Sequence, residues 1–89
     1  MVQDRTVPNS GHGVYAGPVF FAIVYDDRVY LKTDDGTRPW FEEHGMGPFR
    51  PNERQTLGSY YEVPPDTVED RAELVDRAVT AVRVADAEG

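Results

Sequence analysis

The chain has 89 residues, with 16 acids against 9 bases for a net charge of −7, and it has no cysteine. A domain of this length buries only about 60 to 65% of the surface its unfolded chain exposes, so it builds one modest core. The acidic field repels phosphate backbones and the bases do not cluster, which argues against direct nucleic-acid binding, while the lack of cysteine excludes disulfides, thiol nucleophiles and zinc-thiolate sites.

Eight of the nine bases are arginine and the other is Lys32, a balance that suits a salt-rich cytoplasm or a GC-rich genome. No apolar run reaches the roughly 18 residues that span a bilayer, and MVQDRTVPNSG has no signal-peptide character. The expectation is a soluble, cytoplasmic protein that does not engage membranes.

Residues 1–12 are polar and broken by Pro8, Ser10 and Gly11. They are expected as a flexible lead-in, with a single domain over 13–89. From Gly13 the run VYAGPVFFAIVYDDRVYLKT predicts strands over 14–16, 19–25 and 28–33, turning at Gly17-Pro18 and at Asp26-Asp27. On the second strand strict alternation sets Val19, Phe21, Ile23 and Tyr25 against Phe20, Ala22 and Val24. Both sets are apolar, so this strand is central or covered on both faces. On the third, Val29 and Leu31 alternate with Arg28, Tyr30 and Lys32, the pattern of a half-buried hairpin partner.

A short helix follows. Asp35 or Thr37 can cap it, Pro39 fits its first turn, and Gly45 can end it in a left-handed conformation. Residues 46–52 read as a Pro/Gly loop carrying Phe49, and 57–63 as a further strand with Leu57, Tyr61 and Val63 on one face and Tyr60 opposite. After Pro64 and Pro65, Asp66 and Glu69 form a capping box for a helix running to about Ala85. One apolar line on it is Val68, Ala72, Val75, Val79 and Val82, and a second beside it is Leu74, Ala78, Ala81 and Ala85. Strands without βαβ alternation imply an α+β fold: an antiparallel sheet of about four strands with a short middle helix and a longer C-terminal helix packed on it.

These segments together resemble the N-terminal domain of the TfoX/Sxy competence-regulator family. The resemblance runs through Gly11, Gly13 and Tyr15; Phe21, Ala22 and Val24; Val29, Tyr30, Leu31, Lys32 and Asp34; Arg38, Pro39 and Phe41; Gly45, Met46, Pro48 and Phe49; and Tyr60, Tyr61, Val63 and Pro64, in the family's order over about residues 11–85. Family members usually open with a helix and a Met-Phe-Gly-Gly turn where this chain has Pro8, Asn9 and Ser10. They usually have a slightly longer hairpin where it has RPNERQTLGS, and full-length regulators carry a C-terminal helical domain without counterpart here. The resemblance implies a non-enzymatic regulatory or protein-binding role, in which full-length members assist a cyclic-AMP receptor protein at promoters for DNA uptake. It implies no catalytic residues, and the residues themselves lead to no expected cofactor or metal.

The stretch RVYLKTDDGTRPWFEEHGMGPF looks most like chemistry. A catalytic reading pairs Asp34 and Asp35 with His44, and a metal reading gathers Asp34, Asp35 and Glu42 around a hard cation. The structural reading explains more: acids at a helix start complement its dipole, and Arg38 bridges back to them. Gly11-His12-Gly13 precedes a strand and not a helix, so it meets no phosphate-loop pattern. His12 and His44 are too few for zinc, and Ser10 and Ser59 lack a base.

The aromatic residues are the remaining signal. Most are expected as core or cross-strand pairs, and Phe20, Tyr30, Tyr60 and Tyr61 are the candidate partner-binding anchors. The sheet surface that the missing N-terminal helix would cover points to a homodimer or to another regulatory protein. The alternative is a small-molecule-binding domain or small enzyme with a pocket between sheet and helices, using Tyr30, Lys32 and Asp34.

Overall fold

A computed structural model of the chain describes residues 2–6, 12–52 and 54–88. Its organising element is the strand made by the apolar run VFFAIVY, β3 (Val19–Tyr25), which lies between β2 (His12–Ala16) and β4 (Arg28–Lys32). Gly17, at φ +59, and Pro18 make the two-residue turn from β2, a pattern that matches strand twist. Asp26 and Asp27, at φ 53 and 61, make the turn to β4. Two successive left-handed residues define a type I′ turn, which Asp tolerates better than most side chains.

The chain then forms α1 (Arg38–Glu43), β5 (Pro48–Asn52), β6 (Gln55–Glu62), α2 (Pro65–Glu69) and α3 (Arg71–Glu88), while β1 (Val2–Thr6) precedes β2. All strand pairs are antiparallel, in the order β1-β2-β3-β4-β6-β5. The fold is α+β as expected, with two strands more than the expected four. One addition is β1, where a flexible lead-in was expected: it pairs with β2 from Val2 opposite Ala16 to Thr6 opposite His12. An uncovered β2 would present unpaired N–H and C=O groups, and a neighbouring extended segment satisfies them whatever its side chains. The rest of that lead-in, at residues 1 and 7–11, lies outside the described residues. The other addition is β5, expected as a loop; its prolines are tolerated because it is an edge strand.

The sheet buries apolar side chains on both faces, and register shifts in the β2-β3 and β5-β6 ladders decide which residue goes to which. In β3, Phe20 faces Tyr15 and Ala22 faces Val14, so Phe21 is an extra residue between them. This bulge reverses the parity expected beyond it. Phe21 and Ala22 both join Leu31, Phe41, Tyr61, Val63, Ala81 and Ala85 under the helices. Phe20, Ile23 and Tyr25 turn to the opposite face with Tyr30, Phe49 and Tyr60. In β6, Phe49 is paired with Leu57 and Pro48 with Tyr61, so the ladder is irregular around Gly58. Leu57 therefore sides with Tyr60 and not with Tyr61 and Val63.

The second face has no helix on it, yet Ile23 and Phe49 are fully buried there. Phe49 stands on the edge strand β5 but its ring lies 4.8 Å from that of Tyr30 and 5.4 Å from that of Tyr25, three strands away along the sheet. Strands in a flat sheet are about 4.8 Å apart, so the sheet must curl to bring these rings together. Curling lets it cover its own concave face.

The helices close the other face. α3 lies against β3 and β4, and α1 against β6. The expected single C-terminal helix is two, because Asp70 takes an extended conformation (φ −99, ψ 102) between α2 and α3. The side-chain cap sits there as well, without the reciprocal half of a box: the Asp70 carboxylate accepts the Glu73 N–H at 3.1 Å, the Asp70 N–H goes to the Thr67 carbonyl, and the Glu73 carboxylate accepts the buried Thr67 hydroxyl at 2.7 Å. Asp66 and Glu69, the expected box, are exposed residues of the short α2. Of the two apolar lines, Leu74, Ala78, Ala81 and Ala85 face the sheet, whereas Ala72, Val75 and Val79 face outward.

Because Asp27 carries a Cβ in a left-handed conformation, Asp27→Gly is expected to raise stability by about 0.5 to 1 kcal/mol in thermal or denaturant unfolding. An unchanged or lowered midpoint would contradict the turn geometry.

Candidate functional site

Asp34 and Asp35 are used in building the start of α1. The Asp34 carboxylate accepts the N–H groups of Gly36 and Thr37, each at 2.9 Å, and the Thr37 hydroxyl accepts the Asp34 N–H at 3.0 Å. The Thr37 N–H above all, with help from the Thr37 side chain and the Gly36 N–H, holds the Asp34 carboxyl below the usual carboxylate range, while partial desolvation pulls the other way. Asp35 forms an exposed ion pair with Arg38 at 3.0 Å. At the far end Gly45 is left-handed at φ +74, its N–H reaches the Glu42 carbonyl, and the Met46 N–H reaches the Phe41 carbonyl, which is a Schellman close.

His44 lies 2.7 Å from the Trp40 carbonyl through Nδ1. A carbonyl can only accept, so Nδ1 carries the proton. Glu42 accepts the Tyr61 hydroxyl at 3.4 Å, a long bond. The groups proposed for catalysis or metal binding thus have separate structural partners, and among the described residues no three of His, Cys, Asp and Glu are placed to hold a metal ion. His12 stands at the exposed start of β2 and His44 at the end of α1.

The four anchor candidates are largely internal. Tyr30, Tyr60 and Tyr61 are buried and Phe20 is half-buried. Phe20 lies 5.0 Å from both Tyr15 and Tyr60, and the Tyr60 hydroxyl donates to the Phe20 carbonyl at 3.0 Å. Burial, with the nearby Tyr15 and Glu88, pushes the Tyr60 hydroxyl up to about 12, and burial also raises Tyr30. As anchors, Tyr30, Tyr60 and Tyr61 would have to leave a packed interior; the aromatic count that suggested an interface is largely taken up by the two core faces.

Sequence reasoning set Lys32 beside Tyr30 and Asp34 as a ligand pocket. Lys32 does line a recess of about 480 Å³ with Phe20, Tyr60 and Glu88. Tyr30 and Asp34 are not part of its lining. The ammonium is held by the Glu88 carboxylate at 2.7 Å and donates to the Ser59 hydroxyl at 2.8 Å, and it lies 5.3 Å from the Tyr60 ring centre.

Two other surfaces carry more unused apolar area. On α3, Val75 is 55% and Val79 45% exposed, far more than a valine needs to be in so small a domain. Helical spacing placed them in one apolar line with Val68, Ala72 and Val82; Val68 and Val82 of that line pack on the core with the second line, and Ala72, Val75 and Val79 are left outside. The other surface is a groove of about 470 Å³ floored by Val29, Met46, Val63 and Val68 and rimmed by acids. It gathers the β3-β4 turn, the end of β6 and α2, so only the folded topology reveals it.

A model of the TfoX N-terminal domain family matches residues 9–85, most of the chain. The chain belongs to this family. No curated protein matches it. Membership supports a regulatory or competence-related role, in a family not known for enzymatic activity. No helix among the described residues is long and apolar enough to cross a membrane.

Asp34→Ala is expected to lower the melting temperature at neutral pH. A carboxyl with a lowered folded pKa contributes stability that is present above its unfolded value, near 4, and is lost as pH falls through the folded one. The gap from wild type should therefore shrink below about pH 4 in melts across a pH series; a gap that stays constant down to strong acid would show that the carboxylate form is not what holds the turn.

Proposed function

We propose that the chain is a cytoplasmic, non-enzymatic regulatory module of the TfoX N-terminal type, working in transcriptional or competence control by binding a second copy of itself and another regulatory protein. The observation that carries this reading is the outward stripe on α3. Ala72, Val75 and Val79 follow at helical spacing, and the two valines are about half exposed. Leaving such a stripe in water is unfavourable by roughly 25 cal/mol for each Å² of apolar surface.

A second copy fits the charges beside the stripe. Asp76 and Arg83 are exposed, two turns apart along one edge of it. When two α3 helices pack antiparallel with Val79 at the two-fold axis, Asp76 meets Arg83 of the partner subunit and the reverse contact follows by symmetry. The Phe20, Tyr30, Tyr60 and Tyr61 group is not needed for this contact. One helix pair buries a small area, so the dimer is weak, with dissociation on the order of micromolar or above.

Light scattering over a wide concentration range tests this. The wild type should dimerise, Asp76→Arg and Arg83→Glu should each weaken the dimer, and the double exchange should restore it, because the pair is rebuilt with its charges swapped. A strict monomer at high concentration, or a double variant as weak as the singles, sinks the α3 dimer.

The Lys32 recess supports a second reading, a small-molecule site. An anion there must displace Glu88 from the ammonium, which makes this reading the weaker one. Titration with succinate followed by calorimetry should show no saturable heat; saturable binding that Lys32→Ala abolishes would favour the ligand reading instead.

A further inference from the structure

The groove between the β3-β4 turn and α2 combines two features that seldom share a surface. Its floor is apolar and firmly built. Val63 is 2% exposed, and its N–H donates to the Val29 carbonyl at 2.8 Å, fixing the two strands that carry the floor. Met46, set by the Schellman close of α1, and Val68 of α2 complete it; both remain partly exposed.

Its rim is acidic from both ends. Asp26 and Asp27 stand at the turn and Glu69 on α2, all exposed, with Glu62 between them. Arg28 is the one base in the lining, and it lies 3.6 Å from Glu62. Four carboxylates against one guanidinium leave a net charge of about −3 around an apolar floor. The turn residues are held at left-handed φ, so their carboxylates project from a fixed frame.

We propose that this groove docks a short basic segment of a partner protein, two or more Lys or Arg side chains flanking one apolar side chain that enters the floor. A single small cation would neutralise one rim acid and leave the valines and methionine wet, whereas an acidic or neutral peptide gains no charge complementarity. A phosphate-bearing nucleic acid is repelled by the same rim. The floor is of a size to take one large aliphatic side chain with its backbone, within the range of ordinary binding pockets of about 300 to 1,000 Å³. The inference deepens the protein-binding reading by naming the chemistry of the partner. It uses α2 and the β3-β4 turn, not the α3 stripe, so it and the dimer can fail independently.

The test is fluorescence anisotropy with a fluorescein-labelled pentapeptide of two arginines, a central leucine and two lysines, added to the full chain at low and at near-physiological salt. Saturable binding is expected, tighter at low salt. Asp27→Asn with Glu69→Gln should weaken it about five- to tenfold, as two lost charge contacts would. The control Glu43→Gln with Asp86→Asn removes the same charge outside the groove and should leave binding within about twofold. Replacing the peptide's leucine by serine should weaken binding several-fold. Asn tolerates the left-handed turn, so the groove variant keeps its fold, which circular dichroism checks. Equal weakening by the two charge pairs would reduce the effect to the general acidic field and overturn the proposal, as would indifference to the leucine or absence of binding at low salt.

Discussion

Phe21 is one residue more than the β2-β3 ladder can pair, and the rest of the molecule depends on that excess. In a regular strand the apolar run from Val19 to Tyr25 would split cleanly between two faces. The bulge puts Phe21 and Ala22 together under the helices and hands Phe20, Ile23 and Tyr25 to the concave side. On that side Phe49 of the far edge strand, from a ladder with register shifts of its own, lies over Tyr30 and Tyr25. One short sheet thereby encloses two clusters, and a chain of 89 residues gains more burial than a single sheet-helix interface supplies. Fully burying a side chain such as Ile23 or Phe49 is worth about 1.5 to 3 kcal/mol each, a large share of the marginal stability of a small domain.

This use of the aromatics decides what is left for function. Tyr30, Tyr60 and Tyr61 are consumed by packing, and the acids around α1 are consumed by its turn and ends. The surface that remains distinctive is aliphatic: the Val75 and Val79 stripe on α3 and the acid-rimmed groove floored by Val29, Met46, Val63 and Val68. Both suit contacts with other proteins better than they suit a reaction, since neither sets a nucleophile beside a base. That agrees with a regulatory family.

Local rules were legible in the sequence wherever one residue type answers one backbone need. The Asp26-Asp27 and Gly17-Pro18 turns, the proline in the first turn of α1 and the left-handed Gly45 all lie where their chemistry predicts. Facing was less legible. Strict alternation missed the slip at Phe21 because a bulge changes parity without any mark in an all-apolar run, whereas near Gly58 the glycine inside a strand is itself the mark of an irregular ladder. The side-chain cap lies at Asp70 and not at Asp66 because Asp-x-x-Glu occurs twice in succession, and only packing chooses between them. Polar residues 2–6 became β1 for a reason outside themselves, the open edge of β2. Of the two apolar lines on α3, periodicity could not say which the sheet would take. Tyr30, Tyr60 and Tyr61 are buried for a related reason: composition counts aromatics but does not show that both faces of the sheet take them up.

The most direct measurement is a dilution series of backbone amide NMR spectra. Self-association through α3 predicts concentration-dependent shifts confined to residues near Ala72, Val75, Asp76, Val79 and Arg83, with the amides of Ile23, Tyr30 and Phe49 unmoved. Shifts that instead cluster on the sheet aromatics, or no change at any amide across the series, would contradict it.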